Sequence, residues 1–175
     1  MNEKAPNQKV TIVRSTDSFS PLTVMLQESG YAYEIRMLAN QMTEANKLIS
    51  QALGIPLASP ICEIHSLLSV EGDPKAIKIS YIPYQLAAGL EQEDLNGCPL
   101  YQLLKSKYGL CITDIEENIL VTESSREEQQ LLGLEEGAEV MAIDGLATDQ
   151  WGTAVESYQA VVVTDFFIFR SVTTE

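Results

Sequence analysis

Residues 53–81, LGIPLASPICEIHSLLSVEGDPKAIKISY, carry the pattern that decides the fold. Leu53-Gly54 reads as a helix stop, ICEIHSLLSV as a strand, EGDP (71–74) as a turn and KAIKISYIP as a second strand, because β-branched and apolar runs are bounded by turn formers. Residues 132–159, LGLEEGAEVMAIDGLATDQWGTAVESYQ, repeat that order. The offset is 79 residues at the glycines (Gly54 to Gly133) and 78 beyond the turn (Ala76 to Ala154), so one turn residue separates the copies. Hairpins pair antiparallel, so two related αββ units predict one antiparallel sheet with a pseudo-twofold core and a groove or cavity where the halves meet. Two unrelated helix-hairpin units would look alike at this level, and that alternative stays open until strand order is known.

Outward from these units, helix signals recur. Residues 20–29 have Ser20 as the expected N-cap with Pro21 at the first helical position, and stop before Gly30. Residues 43–53 stop before Gly54, residues 99–108 before Gly109, and residues 125–132 open with Ser125 and Glu128 at capping-box spacing and stop before Gly133. Further strands are expected in KVTIVRS, YEIRML, CITDIEENILV, AEVMAIDGLA and one long run, AVESYQAVVVTDFFIFRSV. Strands outnumber helices and the hairpins interrupt strand-helix alternation, so the class is α+β.

The chain has 175 residues, enough for one domain burying about two thirds of its surface. Twenty-five acidic against eleven basic residues give a formal charge of -14, which opposes direct contact with phosphate backbones and favours solubility. Cys62, Cys98 and Cys111 form neither a CxxC pair nor a dense disulfide framework, so they read as reduced thiols of a cytoplasmic protein. No apolar run approaches the ~20 residues that span a membrane.

The chemistry-bearing motifs are few. No GxxxxGK, GxGxxG, GxSxG or HExxH occurs. His65 is the sole histidine, and on a strand it points away from Cys62, three residues earlier, so the two cannot chelate one metal. No metal and no cofactor is expected. The acidic runs, Glu116-Glu117 among them, read as solvated faces. Glu156 differs: it leads into the most apolar strand, where a carboxylate needs a donor partner or a wet cavity. Lys78 holds the equivalent place in the first unit, so the two could line one central pocket as an ion pair, or both could point outward.

The order LGIP, ICEIHSLLSVEGDPKAIKISYIP, AAGLEQEDLNGCPLYQLLKSKYGLCI and SSREEQQLLGLEEGAEVMAIDGLATDQWGTAVESYQAVVVTDFFIF resembles the UTRA domain, the effector-binding portion of HutC-subfamily GntR-type bacterial transcription regulators. The family's segment GLxxEDLxGxSLYELLxxxYG is matched by Gly89, Leu90, Glu93, Asp94, Leu95, Gly97, Leu100, Tyr101, Leu103, Leu104, Tyr108 and Gly109. By that resemblance the segment is scaffold, a helix packed on the sheet. The resemblance further implies a chorismate lyase-like fold, with a six-stranded antiparallel sheet flanked by helices, a small-molecule pocket and a homodimer. It divides the chain into an N-terminal arm (1–18), the domain (19–170) and a tail (171–175), with KVTIVRS as a linker strand. Where relatives carry Arg-Leu-Arg before the first hairpin turn, this sequence has Ser66, Leu67 and Leu68; the Arg-rich tail after the family's glutamate, here Glu156, becomes VTDFFIF, keeping Asp165 and Phe169. Losing those arginines weakens bidentate anion capture.

Carried over by position, the implied ligand-binding residues are Glu156, Lys78, Ser66, Ser80, Tyr81 and Tyr158, with Arg36 and Ser20 at the pocket mouth. The expected function is a ligand-sensing, dimerising regulatory domain without turnover, meeting DNA only through a winged helix-turn-helix domain that these residues do not contain. Two alternatives stand beside it. A chorismate lyase-like enzyme would need cationic clamps, for which Arg36 is the best of four arginines; a dimerisation module would fill its cavity with its own side chains.

Overall fold

The first hairpin closes as the turn chemistry requires. In the computed structural model, which describes residues 10–173, strands β3 (Pro60–Val70) and β4 (Asp73–Pro83) are joined by Glu71 and Gly72, both at positive φ (52° and 87°). That is the two-residue primed geometry whose twist matches a hairpin. Glu71 tolerates the left-handed region because its backbone N–H donates to the Ala32 carbonyl and its carboxylate accepts from the Ala32 N–H. The second hairpin joins β6 (Glu139–Asp149) to β7 (Ala154–Val163), where Asp149 Oδ1 accepts from the N–H groups of Trp151 and Thr153.

Among the described residues the remaining elements are β1 (Ile12–Ser15), α1 (Leu22–Glu28), β2 (Tyr33–Glu44), α2 (Lys47–Leu53), a 3-10 turn (Leu90–Gln92), α3 (Leu100–Tyr108), β5 (Ile112–Glu123), α4 (Arg126–Leu132) and β8 (Phe167–Arg170). Six strands form one antiparallel sheet in the order β2-β3-β4-β7-β6-β5. The order is symmetric about the β4/β7 seam, which resolves the sequence echo in favour of a pseudo-twofold. The repeat is larger than two αββ units: β2 and β5 belong to it, making each half βαββ. Ser80 pairs with Tyr158, and because 80 + 78 = 158 this pair is its own image under the repeat, so the axis passes through it. The helix caps obey the same symmetry. Asn46 caps α2 and Ser125 caps α4, 79 residues apart, and both helices end on left-handed glycines, Gly54 and Gly133. The halves also interlock, since α2 packs on β7 and α4 on β4.

Several boundaries differ from expectation. Ser20 does not cap α1; Pro21 occupies the N-cap with no side-chain bond. Thr43 and Glu44 belong to β2, because the ladder with β3 runs on to Glu44↔Pro60, and the helix waits for the Asn46 cap. The long C-terminal run breaks after Val163: residues 164–166 turn, and β8 leaves the sheet to pair in parallel with β1. Val10 and Ile12 of the arm are buried in the same cluster as Phe166, Phe167 and Leu26. Lys9 and the last two residues of the tail lie outside the described residues.

Candidate functional site

Alternation along the strands decides what faces the cavity. Ile35 and Met37 of β2, Ile64, Ser66 and Leu68 of β3, Ala76, Lys78 and Ser80 of β4, Tyr158, Ala160 and Val162 of β7, Ile143 of β6, and Ile115 and Glu117 of β5 line one continuous surface. Over that floor lie Phe19 to Thr23 leading into α1, Leu95 to Tyr101 leading into α3, and Arg14 with Phe167 from the β1/β8 ribbon. Between floor and cover lies a cavity of about 210 Å3, partly open to solvent.

The row through the pseudo-twofold sets its shape. Tyr158 pairs with Gly145 on β6, which in turn pairs with Glu117 on β5. A Cβ on Gly145 would sit 2.1 Å from Tyr158 Cζ and 2.4 and 2.5 Å from its neighbours in the ring. The absent side chain therefore lets the tyrosine lie flat across β6, where its hydroxyl donates to Glu117 Oε1 at 2.5 Å. The other carboxylate oxygen accepts from Arg14 Nη2 at 2.9 Å, and the Arg14 guanidinium lies 5.0 and 5.4 Å from the ring centres of Phe167 and Phe169.

The second carboxylate is arranged alike. Glu156 has no exposed surface; Tyr101 donates its hydroxyl to Oε2 at 2.5 Å, and Lys78 Nζ stands 2.8 Å from Oε1 as an ion pair outside good hydrogen-bond alignment. The ammonium also lies 4.1 Å from the Tyr158 ring centre and 5.0 Å from that of Tyr101. Each cation thus faces one carboxylate and two aromatic rings, which together offset part of its desolvation. Burial first, and then the neighbouring carboxylate, hold the Tyr101 and Tyr158 hydroxyls protonated well above the ordinary tyrosine range, so both remain donors.

Of the residues expected from sequence, Lys78, Ser66, Ser80, Tyr158 and Ser20 line the cavity. Glu156 stands behind Lys78 and Tyr101 and is reached through them. Arg36 and Tyr81 do not belong: Arg36 lies between Ile35 and Met37, which face the cavity, and is itself exposed, while Tyr81, next to Ser80, packs on the other face against the Leu53 and Ile61 cluster. Three residues of the site escape a reading of the sequence. Glu117 sits in an acidic run that resembles a solvated face, although Ile115 two positions earlier marks its inward parity. Tyr101 carries the signature of a scaffold helix, and Arg14 is hidden in the arm; only the tertiary path of β1 brings it here.

Comparison with known proteins agrees with this fold. The family model described as "UTRA domain" matches residues 28–167. Among curated proteins, the HTH-type transcriptional repressor NagR of Bacillus subtilis is 23% identical over 161 residues, covering 92% of this chain and 66% of that protein. The uncharacterized HTH-type transcriptional regulator RB1450 of Rhizobium meliloti is 28% identical over 159 residues, with 89% and 62% covered. The chain spans two thirds or less of the length of these relatives. Among solved structures, PhnF from Mycobacterium smegmatis superposes with a TM-score of 0.84 at 19% identity, covering 94% of this chain and 72% of that one. The effector domain of PhnF alone gives 0.81 at 20% identity, covering 87% and 94%.

Proposed function

The chain belongs to the UTRA domain family and is an effector-binding domain of the GntR-regulator type, and we propose that the cavity over the β4/β7 seam is its effector site. The observation that carries this reading is a cavity at the pseudo-twofold, partly open to solvent, with unspent hydroxyls on its wall. Among the described residues the side chains of Ser66 and Ser80 make no hydrogen bond, and Ser80 is almost wholly buried. Apolar walls with a few convergent polar groups are the composition of small-molecule sites. A dimerisation module with a filled interior would leave no such space.

The reading extends to a cytoplasmic regulator whose domain spans residues 19–170, with residues 1–18 as arm and 171–175 as tail. It forms a homodimer, for which the exposed Ile119, Leu120 and Val121 on edge strand β5 offer a surface. It meets DNA through a helix-turn-helix domain and catalyses no turnover. A chorismate lyase-like reaction is disfavoured because, among the described residues, the two cavity cations are each paired with a carboxylate, Glu117 or Glu156, which competes with a dicarboxylate for them.

A thermal-shift screen with size-exclusion chromatography tests this reading. A ligand at a hundredfold excess over Kd stabilises by about 2.7 kcal/mol, roughly 5–11 °C for a chain of this size. Cys98 lines the cavity whereas Cys111 does not, so a true occupant slows alkylation of Cys98 and leaves Cys111 unchanged. A stabilising ligand that fails to protect Cys98 would place the effector elsewhere.

A further inference from the structure

We propose that the cavity selects a neutral, predominantly apolar ligand bearing a hydroxyl or carbonyl group, recognised by Ser66 and Ser80, and that it discriminates against anions and cations of the same shape. The inference rests on the cavity being the effector site and deepens that reading by naming the ligand class.

The argument is one of charge already spent. Among the described residues, Arg14 and Lys78 are the cations at the cavity, Glu117 and Glu156 the carboxylates, and the four sum to zero. Each cation is paired at 2.8–2.9 Å and backed by two rings, and each carboxylate also accepts a tyrosine hydroxyl at 2.5 Å. An anionic ligand would have to displace a carboxylate already held twice, and a cationic one would have to displace Arg14 or Lys78. Either would lose its hydration without gaining an unpaired counter-charge. A neutral ligand loses no ionic hydration. Its apolar body meets side chains such as Ile35, Met37, Leu68 and Ile143, and one polar atom suffices for the two serines, which stand diagonally on adjacent strands because Ser66 pairs with Lys78 and Ser80 with Ile64. The volume of about 210 Å3 suits a group smaller than a drug-sized molecule, such as one ring or a short alkyl chain.

Isosteres of three charge states test this directly. Titration calorimetry and thermal shift at neutral pH compare 2-phenylethanol with phenylacetate and phenethylamine, and 1-hexanol with hexanoate and hexylamine. The alcohols are expected to bind at least about tenfold more tightly than either charged partner. Ethylbenzene isolates the hydroxyl: the preference for 2-phenylethanol over ethylbenzene should collapse in the Ser66→Ala/Ser80→Ala double variant. Glu156→Gln leaves Lys78 without its counter-charge, so phenylacetate should gain on 2-phenylethanol there. Tighter binding of phenylacetate or phenethylamine to the unaltered protein overturns the class assignment while leaving the effector site intact. Binding by no member of any set, in the unaltered protein or in Glu156→Gln, removes the effector reading itself.

Discussion

Replacing Gly145 by alanine tests the arrangement at the pseudo-twofold. Gly145 is not among the positive-φ residues, so an alanine is conformationally welcome there. On backbone grounds alone Gly→Ala in a strand is worth about 0.5–1 kcal/mol of added stability. The contact reverses the sign. A Cβ at 2.1–2.5 Å from three atoms of the Tyr158 ring cannot be accommodated without moving the ring, and the ring is tied to Glu117 through its hydroxyl. Overpacking costs about 1–3 kcal/mol, which for this chain length is a Tm lower by roughly 2–12 °C. In a Tyr158→Ala background the obstruction is gone, and Gly145→Ala should become neutral or stabilising. The double-mutant cycle, read by urea denaturation, should therefore return a coupling of about 1.5–4 kcal/mol. A loss of equal size in both backgrounds would refute the reasoning, because Gly145 would then answer to the backbone and not to the ring.

Two further outcomes follow from the ion pairs and the tyrosines. Lys78→Met strands a carboxylate with no exposed surface and should cost about 3–5 kcal/mol, whereas Glu156→Gln leaves an ammonium about 29% exposed and supported by two rings, and should cost about 1 kcal/mol; equal losses in chemical denaturation would contradict the burial asymmetry. Tyr101 and Tyr158 hold their protons in the fold far above the value near about pH 10 at which they ionise when unfolded. Their contribution is fully present below that pH and is lost above it, by up to about 1.4 kcal/mol per pH unit for each tyrosine. Denaturation midpoints at about pH 9, 10.5 and 11.5 should fall along that slope, and Tyr101→Phe or Tyr158→Phe should flatten it; an unchanged slope in both variants would assign the alkaline loss elsewhere.

What is legible in the sequence is whatever is fixed locally. The capping box at Ser125 and Glu128, the glycine stops at Gly54, Gly109 and Gly133, and the EGDP turn are set by side chains within a few residues of each other. The echo is legible because a repeat preserves such signals twice, and its offset by itself makes Lys78 and Glu156 counterparts. What escapes depends on the third dimension. Thr43 and Glu44 read as helix because nothing local shows how far a ladder extends. Arg36 and Tyr81 are among the residues expected at the pocket, and one residue of parity turns each away from the cavity lining. Arg14 carries no sequence signal of its site, since its contact with Glu117 spans 103 residues and relies on β1 finding β8.

That last contact ties the arm to the cavity energetically. Arg14 belongs to the strand through which any segment ahead of residue 10 enters the fold, yet its guanidinium is part of the cavity wall. A force that lifts β1 from β8 must also draw Arg14 from Glu117, and through Glu117 loosen Tyr158 at the symmetry axis. By thermodynamic reciprocity, an occupant that binds better with β1 seated will, to the same free-energy extent, seat β1 more firmly. Strand, ion pair and ring thus form a single lever with the ligand at one end and the polypeptide's upstream direction at the other.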